Sequence, residues 1–264
     1  RGKDLMDSTR KQTLLYEHFG WKYPETMYWG RVKVHEWGGF STSKMRLDIE
    51  EGRYPGWGDP RLPTLEGLKG RGISDAALRA FWLELGITQK DISVPLSTLY
   101  AHNTKVVDAK APRLSFIRDA VLCSLEGAEV PESVSHPVNP NDESMGLRTW
   151  DMTDGAVYIE QEDCEKGSLR LKEFADVDLH GSKAIITSFE RSDKRPIVHW
   201  ITEGNSTEGT LVSTSNNEIH VQKGRIEKHS LKTGTIVQLE RIGYARIQED
   251  GSFILCHEAS VEEK

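Results

Sequence analysis

The chain has 264 residues, long enough to bury a sizeable core and to divide into two folding units. A net charge of −7 excludes a uniformly basic nucleic-acid coat protein, although a local basic stripe on an acidic protein is enough to neutralise phosphates. No apolar run of about 18 residues occurs, which excludes a helical membrane span and predicts a soluble chain with no membrane partner.

In chain order, Asp7 to Phe19 carries Leu14, Leu15 and Phe19 at helical spacing after a Ser8-Thr9 start, with Gly20 as a stop, and so predicts a helix. Val32 to Trp37 alternates like a strand, and Gly38-Gly39 breaks it into a loop over Ser41 to Met45. Tyr54 to Leu65 reads as a rigid turn. Helices are predicted over Leu65 to Lys69, over Asp75 to Leu85 with Ser74 as cap and Gly86 as stop, over Thr88 to Asp91, and over Pro95 to Ala109.

Near Ala111-Pro112 the texture turns β-rich. Short runs at Ala156 to Ile159, Val177 to Leu179, Ala184 to Phe189, Ile197 to Ile201, Ile219 to Gln222, Ile236 to Arg241 and Tyr244 to Gln248 suit barrels or a sandwich. We expect two barrels after about Ala111, a proximal one built from both ends of the segment and a smaller distal one inserted in it. Pro131 to Asn141 reads as an ordered loop or a mobile excursion, and Ser260 to Lys264 as a frayed end. Cys123, Cys164 and Cys256 lie far apart with no zinc-ligand spacing, so neither a metal site nor a disulfide framework is signalled, and a reducing cytoplasm is the natural setting. Arg1 opens the sequence with no methionine or signal peptide, directly on a polar motif, which predicts an amino-terminal truncation.

The hydroxyl-rich run Ser41-Thr42-Ser43 ending in Lys44-Met45 suits a mobile loop that sets one ammonium against a phosphate. On spacing alone an ordinary exposed lysine is the commoner reading of Lys44. Asp4 and Asp7 suit a ribose or an ammonium, or simply the start of a helix. Arg61, Lys69, Arg71 and Arg79 are phosphate-contact candidates by their clustering, each also readable as a solvated charge. Trp150, Trp200 and Tyr244 read as barrel core before base-stacking groups.

The order of these motifs carries a resemblance. Arg1-Gly2-Lys3-Asp4, Phe19-Gly20-Trp21-Lys22-Tyr23-Pro24, Trp29-Gly30-Arg31-Val32, Ser41-Thr42-Ser43-Lys44 and Trp57-Gly58-Asp59-Pro60-Arg61-Leu62-Pro63-Thr64 follow one another. Ala111-Pro112-Arg113, Met145-Gly146-Leu147-Arg148, Ile197-Val198-His199-Trp200 and Gln238-Leu239-Glu240-Arg241 come after them. The series resembles the glutamyl/glutaminyl branch of the class I aminoacyl-tRNA synthetases, most closely its archaeal glutamyl type, over essentially the whole chain.

The resemblance implies a multidomain α+β protein. Residues 1–62 would end a class I Rossmann catalytic domain, 63–110 would form a helical stem-contact region, and 111–264 would form all-β barrels that read the anticodon. It implies ATP, with Mg as its counterion, activating glutamate for transfer to tRNA by a monomeric cytoplasmic ligase. The loop Ser41, Thr42, Ser43, Lys44 and Met45 matches the lysine signature near the ATP phosphates, with Lys44 catalytic and Ser41 where the fullest signature has its first lysine. Arg1 matches an amino-acid-pocket arginine, and Leu5 replaces a histidine frequent in that motif. Asp59, Arg61, Arg71, Arg113, Arg148 and Arg241 match tRNA-facing positions. The adenine-binding His-Ile-Gly-His-like signature is absent, so the ATP site is incomplete and the chain by itself is expected to be inactive. The alternatives are a non-catalytic tRNA-binding module, a glutaminyl-tRNA synthetase, and a β-rich carbohydrate- or protein-binding domain with a helical neck.

Overall fold

The computed structural model describes residues 1–191 and 194–258, so the end expected to fray, Ser260 to Lys264, lies outside the described residues. Two compact units divide the chain: Arg1–Gly56 with Ser74–Val106, and Trp57–Ile73 with Val107–Lys264.

The first unit is mainly helical. Helix α1 (Met6–His18) begins two residues before the expected Ser8-Thr9 start, with no side-chain cap at Leu5. Leu14, Leu15 and Phe19, which helical spacing assigns to a packed face, are all exposed, so this helix buries no apolar stripe among the described residues. Strand β1 (Val32–Val34) is shorter than expected, because His35–Trp37 tightens into a 3₁₀ turn that ends at Gly38 with φ +55°. The expected Ser41 to Met45 loop is instead the start of helix α2 (Thr42–Glu50): the Ser41 hydroxyl accepts from the Lys44 amide, and Met45 and Asp48 share its buried face. Further along the sequence, α4 (Asp75–Leu85) runs from its Ser74 cap to Gly86, as its punctuation predicts. The expected Thr88 to Asp91 helix is absent. Gly30 donates to the Thr88 carbonyl, and strand β2 (Ile92–Val94) pairs in parallel with β1, so tertiary pairing outweighs local propensity. Helix α5 (Leu96–Val107) completes this unit and leads into the next.

The second unit opens on α3 (Leu65–Arg71), capped by Thr64 and packed on the barrel strands beyond it. Its stop, Gly72, has φ +96°, and a Cβ there would lie 2.5 Å from the Cys256 sulfur. Strands β3 (Arg113–Leu114) and β4 (Phe116–Arg118) follow. Next come β5 (Ala120–Glu126), β6 (Ser133–Pro137), β7 (Leu147–Asp151) and β8 (Ala156–Glu160). A short helix, α6 (Gln161–Cys164), precedes β9 (Ser168–Leu171), β10 (Asp176–His180), β11 (Lys183–Ser188), β12 (Ile197–Val198) and β13 (Ile201–Thr202). The chain ends with β14 (Ser206–Ser215), β15 (Glu218–Glu227), β16 (Ile236–Leu239), β17 (Gly243–Ile247) and β18 (Phe253–Glu258). The Pro131 to Asn141 segment is thus a strand, β6, paired with β7, because its prolines flank or end the ladder.

Two seven-stranded sheets result, ordered β3-β16-β17-β18-β14-β15-β4 and β12-β9-β10-β11-β5-β8-β13. In each, the two outermost strands are consecutive in sequence, separated by Ser115 in one and by His199-Trp200 in the other. Each sheet therefore curls until one kinked segment supplies both edges, which is a barrel. The proximal barrel uses both ends of the segment, as expected. The inserted one equals it in strand number and is not smaller. Each has its own core, with Trp150, Trp200 and Val157 in the inserted barrel and Phe116, Leu239 and Phe253 in the proximal one.

An ionic seam joins the barrels. Arg118 of β4 holds Glu160 of β8 by two contacts of 2.6 and 3.0 Å. Arg241, after β16, forks onto Asp163 of α6 at 2.5 and 3.2 Å. In the opposite sense, Arg148 of β7 bridges Glu227 and Glu240 on the proximal side, with Glu240 2.7 Å away. Lys172 reaches Glu240 at 3.0 Å, and the Trp150 indole donates to Glu227 at 2.9 Å. Burial alone raises the Glu240 carboxyl, but Arg148 and Lys172 outweigh it and hold it at about 2. Burial likewise opposes, and the arginines and Lys166 reverse, the shift at Glu160 and Asp163, which both fall below their ordinary values.

Glu240, Glu160 and Asp163 titrate lower in the folded than in the unfolded chain, so their contribution is complete above about pH 4.5 and is lost as pH falls toward 2, whereas burial shifts Glu227 the other way. Urea midpoints followed by tryptophan fluorescence should therefore fall steeply below pH 4.5. Glu240→Gln should be less stable at neutral pH by roughly 3 kcal/mol and lose less on acidification; an unchanged acid slope would contradict the seam. Gly72→Ala should lower the unfolding free energy by about 1–3 kcal/mol, through both its φ and its clash. A silent Gly72→Ala would show that α3 does not seat on Cys256.

Candidate functional site

In the first unit the Ser41 to Met45 segment presents a helix N-terminus. Ser41 adopts an extended conformation and caps α2, while Thr42 and Ser43 place first-turn amides that have no intrahelical acceptor. The Lys44 side chain is exposed and makes no ion pair among the described residues. Amides, helix polarity and one free ammonium together favour an anion such as a phosphate. Met45 faces inward as an anchor for the helix rather than toward a ligand. Nearby in sequence, a cleft of about 700 Å³ opens along Gly38, Gly39 and Phe40, lined also by Asp4, Arg31 and Lys33. Neither Lys44 nor Arg1 lines it. The Arg1 guanidinium donates to Gln12 at 2.7 Å, and Tyr23 holds the same oxygen. Asp4 and Asp7 sit in first turns, where carboxylates favour the helix start.

Most of the residues matched to tRNA-facing positions are committed inside the protein. Asp59 is buried and grips Arg61 through both carboxylate oxygens at 2.9 and 2.7 Å while accepting from the Arg61 amide, so it braces a turn and cannot meet an RNA phosphate. Arg71 is buried and donates to the Cys256 carbonyl at 3.0 Å. Arg113 is buried against Asp108 at 2.6 Å, in a knot where Tyr244, Asn139 and Asn141 also bind residue 108. Burial pushes the Asp108 carboxyl up, but Tyr244 and Arg113 overcome this and lower it. Arg148 and Arg241 belong to the seam. Arg71, Arg113 and Arg148 are thus held by carboxylates and carbonyls inside the protein, while Arg61 and Arg241 are paired but keep part of their surface in solvent. Trp150, Trp200 and Tyr244 are core, as weighed from the sequence.

The exposed cations of the second unit without a carboxylate partner among the described residues include Lys69 on α3, Lys110 and Lys223 on β15. Arg79 is exposed too, on α4 of the first unit. Lys110 and Lys223 carry no sequence signal beyond charge. A groove of about 860 Å³ runs beside the β14–β15 hairpin, lined by Lys223, Arg225, Glu208 and Asp250 of the proximal barrel and Ala120 of the inserted one. The guanidinium carbon of Arg225 lies over the Tyr158 ring of the inserted barrel, 4.9 Å from its centre.

The acidic residues of the seam are structural positions that sequence reading missed. The signal available was an acid inside an apolar run, as in Val237-Gln238-Leu239-Glu240. One acidic and histidine cluster, Glu160, Asp163 and His199, has metal-ligand proximity among the described residues. Its charge is already met by Arg118, Arg241 and Lys166. His199 Nε2 donates to the Phe116 carbonyl at 2.9 Å and Nδ1 faces Arg241, so neither ring nitrogen is open to a metal. Burial, with Arg241 adding to it, keeps this imidazole neutral. Among the described residues no helix is long and apolar enough to cross a membrane.

Comparison with known proteins fits this arrangement. Residues 1–109 match the model for tRNA synthetases class I (E and Q), catalytic domain, and residues 111–198 match the anti-codon binding domain of the same class. A glutamate–tRNA ligase of Archaeoglobus fulgidus is 38% identical over 94% of this chain and 45% of its own length. One of Methanosarcina mazei is 38% identical over 97% of this chain and 46% of its own. One of Pyrococcus abyssi is 37% identical over 94% and 45%. The chain spans about half the length of the curated relatives it matches. With a lysine-bearing helix start followed by paired barrels, both matched in order by one class, the chain belongs to the glutamate and glutamine branch of the class I tRNA synthetases.

Proposed function

We propose that this chain supplies the lysine-signature and tRNA-holding parts of a glutamate–tRNA ligase. The enzyme would activate glutamate with ATP and transfer it to tRNA(Glu). The observation that carries this reading is the match across 94% of the chain to proteins named glutamate–tRNA ligase. In this reading residues 1–62 close the catalytic domain, 63–110 face the tRNA stem and 111–264 read the anticodon. Lys44 and the amides of Thr42 and Ser43 offset charge on the ATP phosphates, with Mg as the nucleotide's counterion, and Ser41 shapes that turn as its cap. Arg1 belongs to the amino-acid pocket, a role its bond to Gln12 supports by holding the guanidinium in place. The same reading takes the ligase as a monomer working in the cytoplasm. Glutamine remains the second reading, since the matching family model covers both amino acids.

The phosphate contacts fall to lysines in this reading. The chain should bind a tRNA(Glu) transcript with log K falling as log salt rises, and Lys69→Ala, Lys110→Ala and Lys223→Ala should each lower that slope by about one contact's share, roughly 0.7–0.9. Binding indifferent to salt would reject the RNA surface. Within a complete ligase containing these residues, Lys44→Ala should cut glutamate-dependent pyrophosphate exchange by roughly ten- to a thousandfold, the span expected for one lost electrostatic donor. Exchange at the original rate would remove Lys44 from the chemistry.

A further inference from the structure

The protected face of helix α1 is polar. Leu14 and Leu15 are exposed, whereas Thr9, Gln12, Thr13 and Tyr16, which stand at i, i+3, i+4 and i+7 and so share one side of the helix, are half-buried. That side meets the segment following the helix. The Thr9 and Tyr28 hydroxyls are hydrogen bonded, and Tyr16 meets Tyr23 edge to face with ring centres 5.1 Å apart. On the same side the Gln12 amide oxygen accepts from the Arg1 guanidinium at 2.7 Å and from the Tyr23 hydroxyl at 2.9 Å. A guanidinium can only donate, which fixes the end of the amide that faces Arg1. The Arg1 backbone is held as well, its carbonyl accepting from the Trp29 amide at 3.1 Å.

Arg1 differs from the arginines braced elsewhere in the protein. Arg61, Arg113, Arg118, Arg148, Arg170 and Arg241 each pair with a carboxylate. Arg1 has no carboxylate partner among the described residues, and a neutral amide takes its guanidinium. A carboxylate in that place would offset the positive charge and compete with any carboxylate that a ligand brings. An amide fixes the direction of the guanidinium and leaves its charge available. We propose that Gln12 is a positioning residue for amino-acid binding: steadied by Tyr23, it aims the Arg1 guanidinium through a neutral acceptor, so that the full charge meets a carboxylate of the substrate. Gln12 acts through Arg1, and the proposal rests on the amino-acid-pocket reading of Arg1 above.

A bracing role and a charge-preserving role make opposite forecasts for Gln12→Glu. That variant still offers acceptors to Arg1 and Tyr23, so bracing would survive it, whereas a role that depends on neutrality would not. The test is pyrophosphate exchange in a complete ligase containing these residues, with glutamate varied at saturating ATP and ATP varied at saturating glutamate, and with thermal melts confirming folded protein. We expect Gln12→Glu to raise KM for glutamate at least about tenfold. Gln12→Met, which removes the acceptor at similar size, should raise it about three- to tenfold, and in both variants kcat should stay within about twofold and KM for ATP should not move. Arg1→Gln should raise KM for glutamate more than either. The inference is overturned if Gln12→Glu keeps the original KM for glutamate, or if the Gln12 variants lower kcat with that KM unchanged or raise both KM values alike. An unchanged KM for glutamate in Arg1→Gln would overturn the pocket reading and this inference with it, whereas a raised KM there beside unaffected Gln12 variants would overturn the inference alone.

Discussion

The second unit depends on how two barrels are closed. Closing a seven-stranded sheet with one kinked segment leaves backbone polar groups at the kink without ladder partners, and buried groups of that kind must be satisfied from elsewhere. At the proximal kink, the Ser115 amide donates to Glu227 and its carbonyl accepts from the Glu227 amide. At the inserted kink, His199 donates to the Phe116 carbonyl, and the Trp200 indole donates to the Lys172 carbonyl. The proximal kink thus draws on a buried acid, and the carbonyl beside it on a side chain of the other kink. Burying Glu227 and Glu240 then obliges Arg148 and Lys172 to follow, and burying Glu160 and Asp163 obliges Arg118 and Arg241. The seam is the consequence of closing both barrels at the same place.

This dependence explains which parts of the chain were legible. Helix α4 could be read almost to the residue, because Ser74 and Gly86 act locally. The β-rich half could be read as barrels from strand spacing, because alternation and turn chemistry are also local. The Thr88 to Asp91 segment could not, since its conformation is set by a parallel neighbour some 60 positions away in sequence, with Ile92 bonded to Arg31. The Ser41 to Met45 run was misjudged as a loop because hydroxyl residues suit both loops and caps, and which they do depends on whether Met45 and Asp48 find a buried face. The partners of the arginines were illegible for a related reason. A motif names a residue type, and only partners distant in sequence, 92 positions for Arg148 and Glu240, decide whether a guanidinium faces solvent or a carboxylate.

That outcome bears on how an acidic chain can hold RNA. Arg71, Arg113 and Arg148 are turned inward, and Arg118 and Arg241 are spent on buried acids. A guanidinium suits this work, being planar, permanently charged and less strongly hydrated than an ammonium, so it can fork to carboxylates at a lower desolvation cost. Lysine, with its compact and strongly hydrated charge, is left on the outside at Lys69, Lys110 and Lys223. The division is partial: Arg118, Arg148 and Arg241, helped by Lys172, tie the barrels together, while Lys69, Lys110 and Lys223 are left exposed. Because Arg113, Arg148 and Arg170 are matched by acids inside the protein, the net charge of −7 says little about the charge RNA would meet. In the proposed reading, the field that an RNA would meet is the local one of a few exposed lysines.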